Sequence, residues 1–277
     1  MTLPTRFTKM AGGGNDFLVF EADGRKLTEE DRRHLALVCR RGLSVGADGA
    51  LFLCAGEEGR VRLDYYNADG GLAFFCANGT RCAARYATRH RLLAAGDDPV
   101  LETGWAPIAA HVRGGEVTLD LPDVEAPGDP LPISGGGLPA EAHLIVVGVP
   151  HLVVFVEDGL ADLPIARVAP PLRRHPRLPE GANVNFVAVE SPHGLAVRTF
   201  ERGVEGETLA CGSGVVASAV VAARLGRVDP PVACRTKSGV VFTVRFEEMG
   251  KLFTHVTLTG DAREVYGGEL VEEAWQP

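Results

Sequence analysis

The stretch LACGSGVVASAVVAARLG, residues 209–226, decides how the second half of the chain folds. Its last two thirds are almost entirely apolar, so a helix over residues 215–225 would be buried on nearly every side. Gly226 suits the C-terminal cap of that helix. Cys211 therefore stands in a glycine-rich turn at the N-terminus of a predicted buried helix.

The N-terminus of a buried helix attracts anions, because its first backbone N–H groups are unpaired and lie at the positive end of the helix dipole. Two anions are candidates at this turn. Helix N-termini lower the pKa of a thiol, so Cys211 could be held as a thiolate. The carboxylate of a substrate could accept hydrogen bonds from the other N–H groups.

The same construction occurs earlier in the chain, at the sequence CANG of residues 76–79. A helix is predicted over residues 81–95, with Gly96 at its end. A repeat of this kind predicts two structurally related halves, each presenting a helix N-terminus with a cysteine in front of it. The Pro/Gly-rich passage 122–139 is the candidate connection between the halves.

The rest of the chain predicts many strands and few further helices. Thr28 is the N-cap of a predicted helix over residues 28–41, with Arg40 and Arg41 at its end. The segment 164–179 is expected to form a surface loop or a short helix. Strands are predicted over residues 7–20 with an interruption at 11–16, and over 45–54, 60–66, 141–149, 183–189, 195–200, 232–234, 239–247, 252–258 and 261–267. The predicted fold class is α/β or α+β.

The composition is typical of a globular protein, with 45% hydrophobic and 23% charged residues in 277. The net charge of -8 argues against nucleic acid or an anionic membrane as a partner. No apolar run approaches the length of a membrane span, about 20 residues. The N-terminus has no apolar stretch like that of a signal peptide, so the cytoplasm is the expected compartment.

The six cysteines are expected to be free thiols. Cys39, Cys54, Cys82 and Cys234 lie within predicted helices or strands and are interpreted as structural. Cys76 and Cys211 differ, because both stand at glycine-flanked helix starts. No metal site is predicted, since the chain has no CxxC pair and its histidines are scattered without ligand spacing.

Two such cysteines indicate a reaction. If the halves are related by a pseudo-twofold axis, one sulfur can lie on either face of a substrate carbon. One thiolate would remove a proton while the opposing thiol delivers another, and the centre would be inverted. Backbone N–H groups would stabilise the negative charge that builds up on the adjacent carboxylate. The residues thus favour racemisation or epimerisation of an α-substituted carboxylic acid without a cofactor.

Five blocks of sequence resemble the diaminopimelate epimerase family, in order and over essentially the whole chain. They are KMAGGGNDF (9–17), YNADGGLAFFCANGTRCAARY (66–86), GVPHLVVFV (148–156), GANVNF (181–186) and FERGVEGETLACGSG (200–214). The resemblance implies two pseudo-symmetric domains, each with strands wrapped around a central helix. The implied domains are residues 1–122 plus 264–277, carrying Cys76, and residues 123–263, carrying Cys211.

The resemblance also implies roles for individual residues. Cys76 and Cys211 match the acid/base pair, and His151 and Glu201 match positions that help move or hold the cysteine protons. Substrate-binding positions are matched by the side chains of Asn15, Asn67, Asn183 and Arg202 and by the backbone N–H groups of Ala77, Asn78, Gly212 and Ser213. The implied partner is a small amino-acid substrate, with no cofactor and no metal. The oligomeric state stays open, a homodimer included.

Several positions depart from the family pattern. Ala77 replaces a usual glycine, a change that backbone donation survives, and Gly71 replaces a usual serine. Val149 and Gly49 replace an asparagine and a glutamine that would contact the distal half of the substrate. A pocket without polar side chains binds the charged groups at the distal end of a substrate less tightly. These two positions therefore leave the identity of the substrate open.

Three hypotheses follow from the sequence. The leading one is epimerisation of LL- to meso-diaminopimelate in lysine and peptidoglycan biosynthesis, motivated by Arg202, Asn67 and Asn183 beside the two cysteines. The second is a racemase of the same fold that acts on another amino acid, motivated by Val149 and Gly49. The third is a thiol redox protein or a non-catalytic binding protein, in which two opposed cysteines would form a disulfide.

Overall fold

The computed structural model describes residues 3–57, 59–93, 98–132 and 141–276. The chain divides into two compact units. The first unit contains the residues up to Leu119 and those from Asp261 onward, and the second is Asp120–Gly260. Within the described ranges, none of the helices has the length and apolar character needed to cross a membrane.

The strands, in chain order, are β1 (Arg6–Gly12), β2 (Asn15–Glu21), β3 (Gly49–Ala55), β4 (Arg60–Asn67), β5 (Leu72–Ala73), β6 (Val100–Glu102), β7 (Pro107–Arg113), β8 (Glu116–Asp120), β9 (Val124–Glu125), β10 (Leu131–Pro132), β11 (Glu141–Val147), β12 (Val149–Phe155), β13 (Asn183–Ser191), β14 (Gly194–Glu201), β15 (Gly206–Thr208), β16 (Val232–Thr236), β17 (Val241–Met249), β18 (Leu252–Asp261) and β19 (Arg263–Glu269). The α-helices are α1 (Glu29–Val38), α2 (Ala77–Arg89), α3 (Ile165–Arg173) and α4 (Gly212–Arg224). The predicted mixed fold class is confirmed.

In the first unit, strands pack around helix α2. Strands β1 and β2 form a hairpin whose turn is Gly13-Gly14, both with positive φ, as a tight two-residue turn requires. Strand β2 runs parallel to β3, β3 pairs antiparallel with β4, and β19 returns from the end of the chain to pair with β1. Helix α2 packs against β1 to β4. This packing places the N-terminus of α2 near the hairpin turn.

In the second unit, a sheet carries a helix on each face. Strands β12 and β13 are parallel, and β13 pairs antiparallel with β14. Val184 and Phe186 of β13 share a buried apolar cluster with Leu172 of α3. Side chains alternate along a strand, so Asn183 and Asn185 lie on the opposite face. Helix α4 packs against the same three strands and covers that polar-bearing face.

Several predicted helix boundaries are wrong. Helix α2 begins at Ala77 rather than at residue 81, because Cys76 already serves as its N-cap. Helix α4 likewise begins at Gly212 instead of residue 215, with Cys211 as N-cap. The N-cap prediction for Thr28 is confirmed, since its side chain and that of Asp31 form a capping box. Helix α1 nevertheless ends at Val38, and Arg40 and Arg41 lie beyond it.

Other segments also differ from the predictions. The predicted strand over 45–54 begins only at Gly49. The predicted strand over 141–149 ends at Val147, because Gly148 adopts a φ of 71° and turns the chain into β12. The segment 164–179 contains helix α3, whose Ile165, Val168, Ala169 and Leu172 are buried. Gly96 and residues 133–139 of the predicted connection lie outside the described residues.

Candidate active site

Cys76 stands at the start of helix α2 in the first unit. Its backbone is extended, with φ -146° and ψ 107°, and its Sγ accepts a hydrogen bond from the backbone N–H of Gly79 at 3.4 Å. The hydroxyl of Thr80 donates to the Cys76 carbonyl at 2.9 Å and fixes the turn. The sulfur therefore stands at the positive end of a helix dipole, in a half-buried position.

Ala77 and Asn78 follow Cys76 as the first residues of α2, and both are buried. The Asn78 side chain is fixed at both ends. Its Oδ1 accepts from Arg81 Nη2 at 2.6 Å, and its Nδ2 donates to Asn15 Oδ1 at 2.7 Å. Asn15 in turn donates through Nδ2 to Asp48 Oδ2 at 2.9 Å. Two predicted substrate-binding residues, Asn15 and Asn78, thus belong to one polar chain.

Arg81 begins that chain and is completely buried. Its Nε donates to the carbonyl of Asp261 at 3.2 Å, and its Nη1 donates to the carbonyl of Ala77 at 3.4 Å. Burial lowers the pKa of the Arg81 guanidinium from its ordinary value. A buried guanidinium is retained only with good hydrogen-bond partners, and here those partners include the side chain of Asn78.

Cys211 stands at the corresponding place on helix α4, with φ -122° and ψ 112°. Only 8% of this residue is exposed. Its Sγ lies 3.5 Å from the hydroxyl of Ser213, and that hydroxyl lies 3.1 Å from Nε2 of His151. The structure thus links Cys211 to His151 through the side chain of Ser213.

His151 is fully buried on strand β12. Burial is the main cause that lowers its pKa to about 3, and the positive charge of Arg202 contributes in the same direction. The amide nitrogen of Asn185 lies 3.1 Å from its Nδ1. At neutral pH the imidazole is therefore uncharged, and it has one donor and one acceptor nitrogen.

The remaining predicted residues lie at strand ends. Asn67 is the exposed last residue of β4, where its backbone closes a turn with Gly71. Asn183 is buried at the start of β13, and its Oδ1 accepts from the backbone N–H of Arg202 at 2.8 Å. Arg202 donates through Nη1 to the carbonyl of Glu180, and Glu201 accepts from Thr208 at 2.6 Å.

Sequence reasoning missed the residues that support these side chains. Asn185 stands two positions after Asn183, so the alternation of a strand already places both on one face. Arg81 is the first residue of the predicted helix over 81–95, whereas its spacing of three from Asn78 puts it on the same buried face of α2. For Ser213 the resemblance implies a role of the backbone N–H only, whereas the structure also brings its hydroxyl between His151 and Cys211. No sequence signal indicates the roles of Asp48, which accepts from Asn15, or of Thr199, whose hydroxyl donates to Asn185 Oδ1 at 3.0 Å.

Three of the other cysteines lie in environments that suppress thiolate formation. Burial raises the pKa of Cys39, Cys82 and Cys234 to about 12 in each case. Thiols with such pKa values stay protonated and unreactive at neutral pH. Among the described residues, no three His, Cys, Asp or Glu side chains are grouped so that they could hold a metal ion.

Solved structures share this fold. A probable proline racemase from Agrobacterium radiobacter has a TM-score of 0.73 and 15% identity, covering 99% of this chain and 94% of that chain. A protein from Pseudomonas aeruginosa described as a predicted epimerase has a TM-score of 0.71 and 16% identity, covering 96% of this chain and 99% of that chain. At these identities the likeness shows the fold alone.

The sequence comparisons are more specific. The family model described as diaminopimelate epimerase matches residues 7–127 and 143–265. Diaminopimelate epimerases from Chlorobaculum tepidum and Archaeoglobus fulgidus are 38% and 37% identical, covering 94% and 95% of this chain and 99% and 95% of their own. The chain therefore belongs to the diaminopimelate epimerase family, as predicted, and is an amino-acid epimerase independent of pyridoxal phosphate. The hypothesis of a thiol redox or binding protein is set aside.

Proposed function

We propose that the protein converts LL-diaminopimelate to meso-diaminopimelate, a step of lysine and peptidoglycan biosynthesis, with Cys76 and Cys211 as the acid/base pair. The observation that carries the proposal is the duplicated helix start. Each cysteine is an N-cap residue with extended backbone, at the positive end of a largely buried helix. Family membership supplies the substrate class, since the curated relatives bear the name of that reaction.

In the proposed reaction, one cysteine is a thiolate and the other a thiol. The thiolate takes the proton from the α-carbon, so that a C–H bond breaks, an S–H bond forms and the electron pair stays on the carbon. The other thiol gives its proton to the opposite face of that carbon and becomes the thiolate. The configuration is inverted, and the reverse reaction uses the cysteines in exchanged roles.

The adjacent carboxylate needs stabilisation while the carbon bears the electron pair. We assign this task to the backbone N–H groups of Ala77, Asn78, Gly212 and Ser213, because all four belong to the first turns of α2 and α4. The first N–H groups of a helix have no partner within the helix and lie at its positive end. Donors aimed at developing negative charge are often the largest contribution to catalysis.

The distal half of the substrate carries an ammonium and a carboxylate. We propose that Arg202 binds this carboxylate, and that Asn15, Asn67 and Asn183 supply further polar contacts. The bond from the Arg202 backbone to Asn183 supports a joint role for these two residues. His151 and Glu201 are proposed to hold or move the cysteine protons, and the link through Ser213 supports this for His151.

One specific observation favours a second candidate substrate. A Cβ atom added to Gly49 would meet the carbonyl of Tyr66 at 2.4 Å and the ring of Tyr65 at 2.7 Å. The space that a longer polar side chain at position 49 would need is thus already occupied by Tyr65 and Tyr66. Together with Val149, which is half-buried at the start of β12, this favours a less polar distal contact. A racemase of the same fold that acts on another amino acid is the alternative.

Solvent deuterium incorporation distinguishes the candidates. The purified protein is incubated under reducing conditions in D2O with LL-diaminopimelate and, in parallel, with a panel of monoamino acids. The proposal predicts formation of the meso isomer with deuterium at the inverted α-carbon. Exchange confined to a monoamino acid would support the alternative, and no exchange with any amino acid would remove both.

A further inference from the structure

Three strands of the second unit bring a line of polar side chains to the start of helix α4. Thr199 lies directly opposite Asn185 in the antiparallel pair of β13 and β14. On the other side of β13, Val153 of β12 pairs with Asn185, and His151 stands two residues before Val153 on the same face. His151 and Asn185 are completely buried and Thr199 is nearly so. The line therefore runs through a region closed to solvent.

The Asn185 amide is oriented by its neighbours. The Thr199 hydroxyl donates to Asn185 Oδ1 at 3.0 Å. A Cβ atom added to Gly214, the third residue of α4, would meet the same oxygen at 2.3 Å. The positive end of a helix favours an amide oxygen over an amide NH2 group beside it. The oxygen of Asn185 therefore faces Thr199 and α4, and its nitrogen faces His151.

This orientation decides the tautomer of His151. An amide NH2 group can only donate, so the His151 Nδ1 at 3.1 Å must accept and cannot bear a hydrogen. A neutral imidazole then bears its hydrogen on Nε2, which donates to the Ser213 oxygen at 3.1 Å. The Ser213 hydroxyl hydrogen is left for its other neighbour, the Cys211 sulfur at 3.5 Å.

We propose that Asn185, held by Thr199, is a positioning residue that fixes His151 as the Nε2–H tautomer, so that the Ser213 hydroxyl donates to Cys211 and favours its thiolate. The role in catalysis rests on the proposed function. A hydrogen bond donated to the sulfur stabilises the thiolate more than the thiol. With the opposite tautomer, Nε2 would accept from Ser213 and the sulfur would lose this donor.

The test measures the state of His151 and Cys211 without substrate. In 15N NMR spectra of the histidine-labelled protein, the proposal predicts a protonated Nε2 and an unprotonated Nδ1 for His151. Alkylation of Cys211 by iodoacetamide at neutral pH, followed by peptide mass spectrometry, is expected to be about tenfold slower in Asn185→Leu than in the unaltered protein. In that variant the NMR signature of a single tautomer should also be lost.

Two further variants complete the experiment. Ser213→Ala removes only the hydroxyl that donates to Cys211, and it should slow alkylation of Cys211 as much as Asn185→Leu does. The proposal can therefore be tested even if Asn185→Leu does not fold. Ser218→Ala is the matched control, because Ser218 is a buried serine of the same helix whose hydroxyl donates to the Gly214 carbonyl. Its alkylation rate should stay within twofold of the unaltered protein.

Protonation of Nδ1 in the unaltered protein would overturn the proposal. Unchanged alkylation of Cys211 in Ser213→Ala would overturn it as well. These readouts need no substrate. The NMR and alkylation results could agree with the proposal while the protein exchanges no α-proton of any amino acid. That outcome would refute the proposed function but not the positioning role of Asn185.

Discussion

Cys76 and Cys211 are both N-cap residues with extended backbone, yet different groups surround their sulfurs. The Cys76 sulfur accepts from the backbone N–H of Gly79 at 3.4 Å. The Cys211 sulfur lies 3.5 Å from a side-chain hydroxyl, that of Ser213, which contacts His151. The two cysteines thus have the same backbone arrangement at a helix start, whereas the groups that contact their sulfurs differ.

The difference extends into the helices. Helix α2 buries the charged side chain of Arg81, which orients Asn78 and through it Asn15. Helix α4 buries almost only apolar side chains, and its polar support comes from the sheet beneath it. Substitution of Ser213 should therefore remove one hydrogen-bond donor from the Cys211 sulfur, while side-chain substitutions around Cys76 should act mainly on substrate contacts.

The largest expected effect comes from removal of either sulfur. Cys76→Ala and Cys211→Ala should each lower the rate of inversion by about a thousandfold or more, because one proton transfer loses its acid or base. The measurement is conversion of LL-diaminopimelate followed by chiral chromatography. Cys39→Ala and Cys234→Ala are the controls, since both thiols are buried with a pKa raised to about 12. Equal losses in all four variants would contradict the distinction between the cysteines.

Arg81→Met should remove the hydrogen bond that orients Asn78, a contact found only beside Cys76. Loss of a charged hydrogen-bond donor to Asn78 costs about 2 kcal/mol, so KM is expected to rise about thirtyfold while kcat changes less than threefold. Arg85→Met is the matched control on the same helix, because Arg85 donates to the carbonyl of Ala262 and not to Asn78. A fall in kcat with unchanged KM would show that Arg81 acts on the chemistry instead.

Buried His151 should give the Cys211 side a pH-dependent stability. Its folded pKa of about 3 lies below the unfolded value of 6.5, so the unfolded chain binds a proton that the folded chain does not. This cost is absent above pH 6.5 and grows as the pH falls towards 3. Between pH 8 and pH 5 the free energy of unfolding should fall by about 2 kcal/mol more than in His151→Gln.

Denaturant titrations at both pH values measure that difference. His143→Gln serves as the comparison, since burial also lowers the pKa of His143, and this residue should lower the stability in the same pH window. Parallel curves for the unaltered protein and His151→Gln would show that His151 is not the buried neutral group described above.

The smallest effect is expected from Ala77→Gly, which makes the sequence CGNG and brings the first helix start closer to CGSG. The carboxylate is proposed to bind backbone N–H groups, so kcat/KM should stay within about threefold. Glycine in place of alanine within a helix should lower the free energy of unfolding by about 1 kcal/mol or less. A tenfold change in kcat/KM, measured by steady-state kinetics, would show that the side chain at position 77 affects the site.

The sequence predicted the parts of the molecule that depend on local pattern. The apolar run after Gly214 indicated a buried helix, and the repeated cysteine turns indicated two related helix starts. The family resemblance followed from motifs such as GANVNF, and the comparisons confirm it. Glycines at turns and helix ends, and runs of apolar residues, are local features, so they can be interpreted without knowledge of the fold.

The sequence could not predict contacts that depend on strand pairing. Thr199 reaches Asn185 only because β13 and β14 pair in that register, and Arg81 reaches the Asp261 carbonyl only through a contact distant in sequence. Helix α2 also begins earlier than predicted, because the Cys76 sulfur caps its first turn and no spacing along the chain indicates that contact. Such pairings determine how the side-chain amides and imidazoles are oriented, and they cannot be predicted from the spacing of residues along the chain.

The most direct test of the two-cysteine account uses the single-cysteine variants in D2O. With Cys76→Ala and Cys211→Ala, deuterium at the α-carbon is measured by NMR for LL-diaminopimelate and for the D-centre of the meso isomer. The account predicts slow exchange with retention of configuration, in one variant for the L-centre only and in the other for the D-centre only. Exchange of the same stereoisomer by both variants, or inversion at the unaltered rate in either, would contradict it.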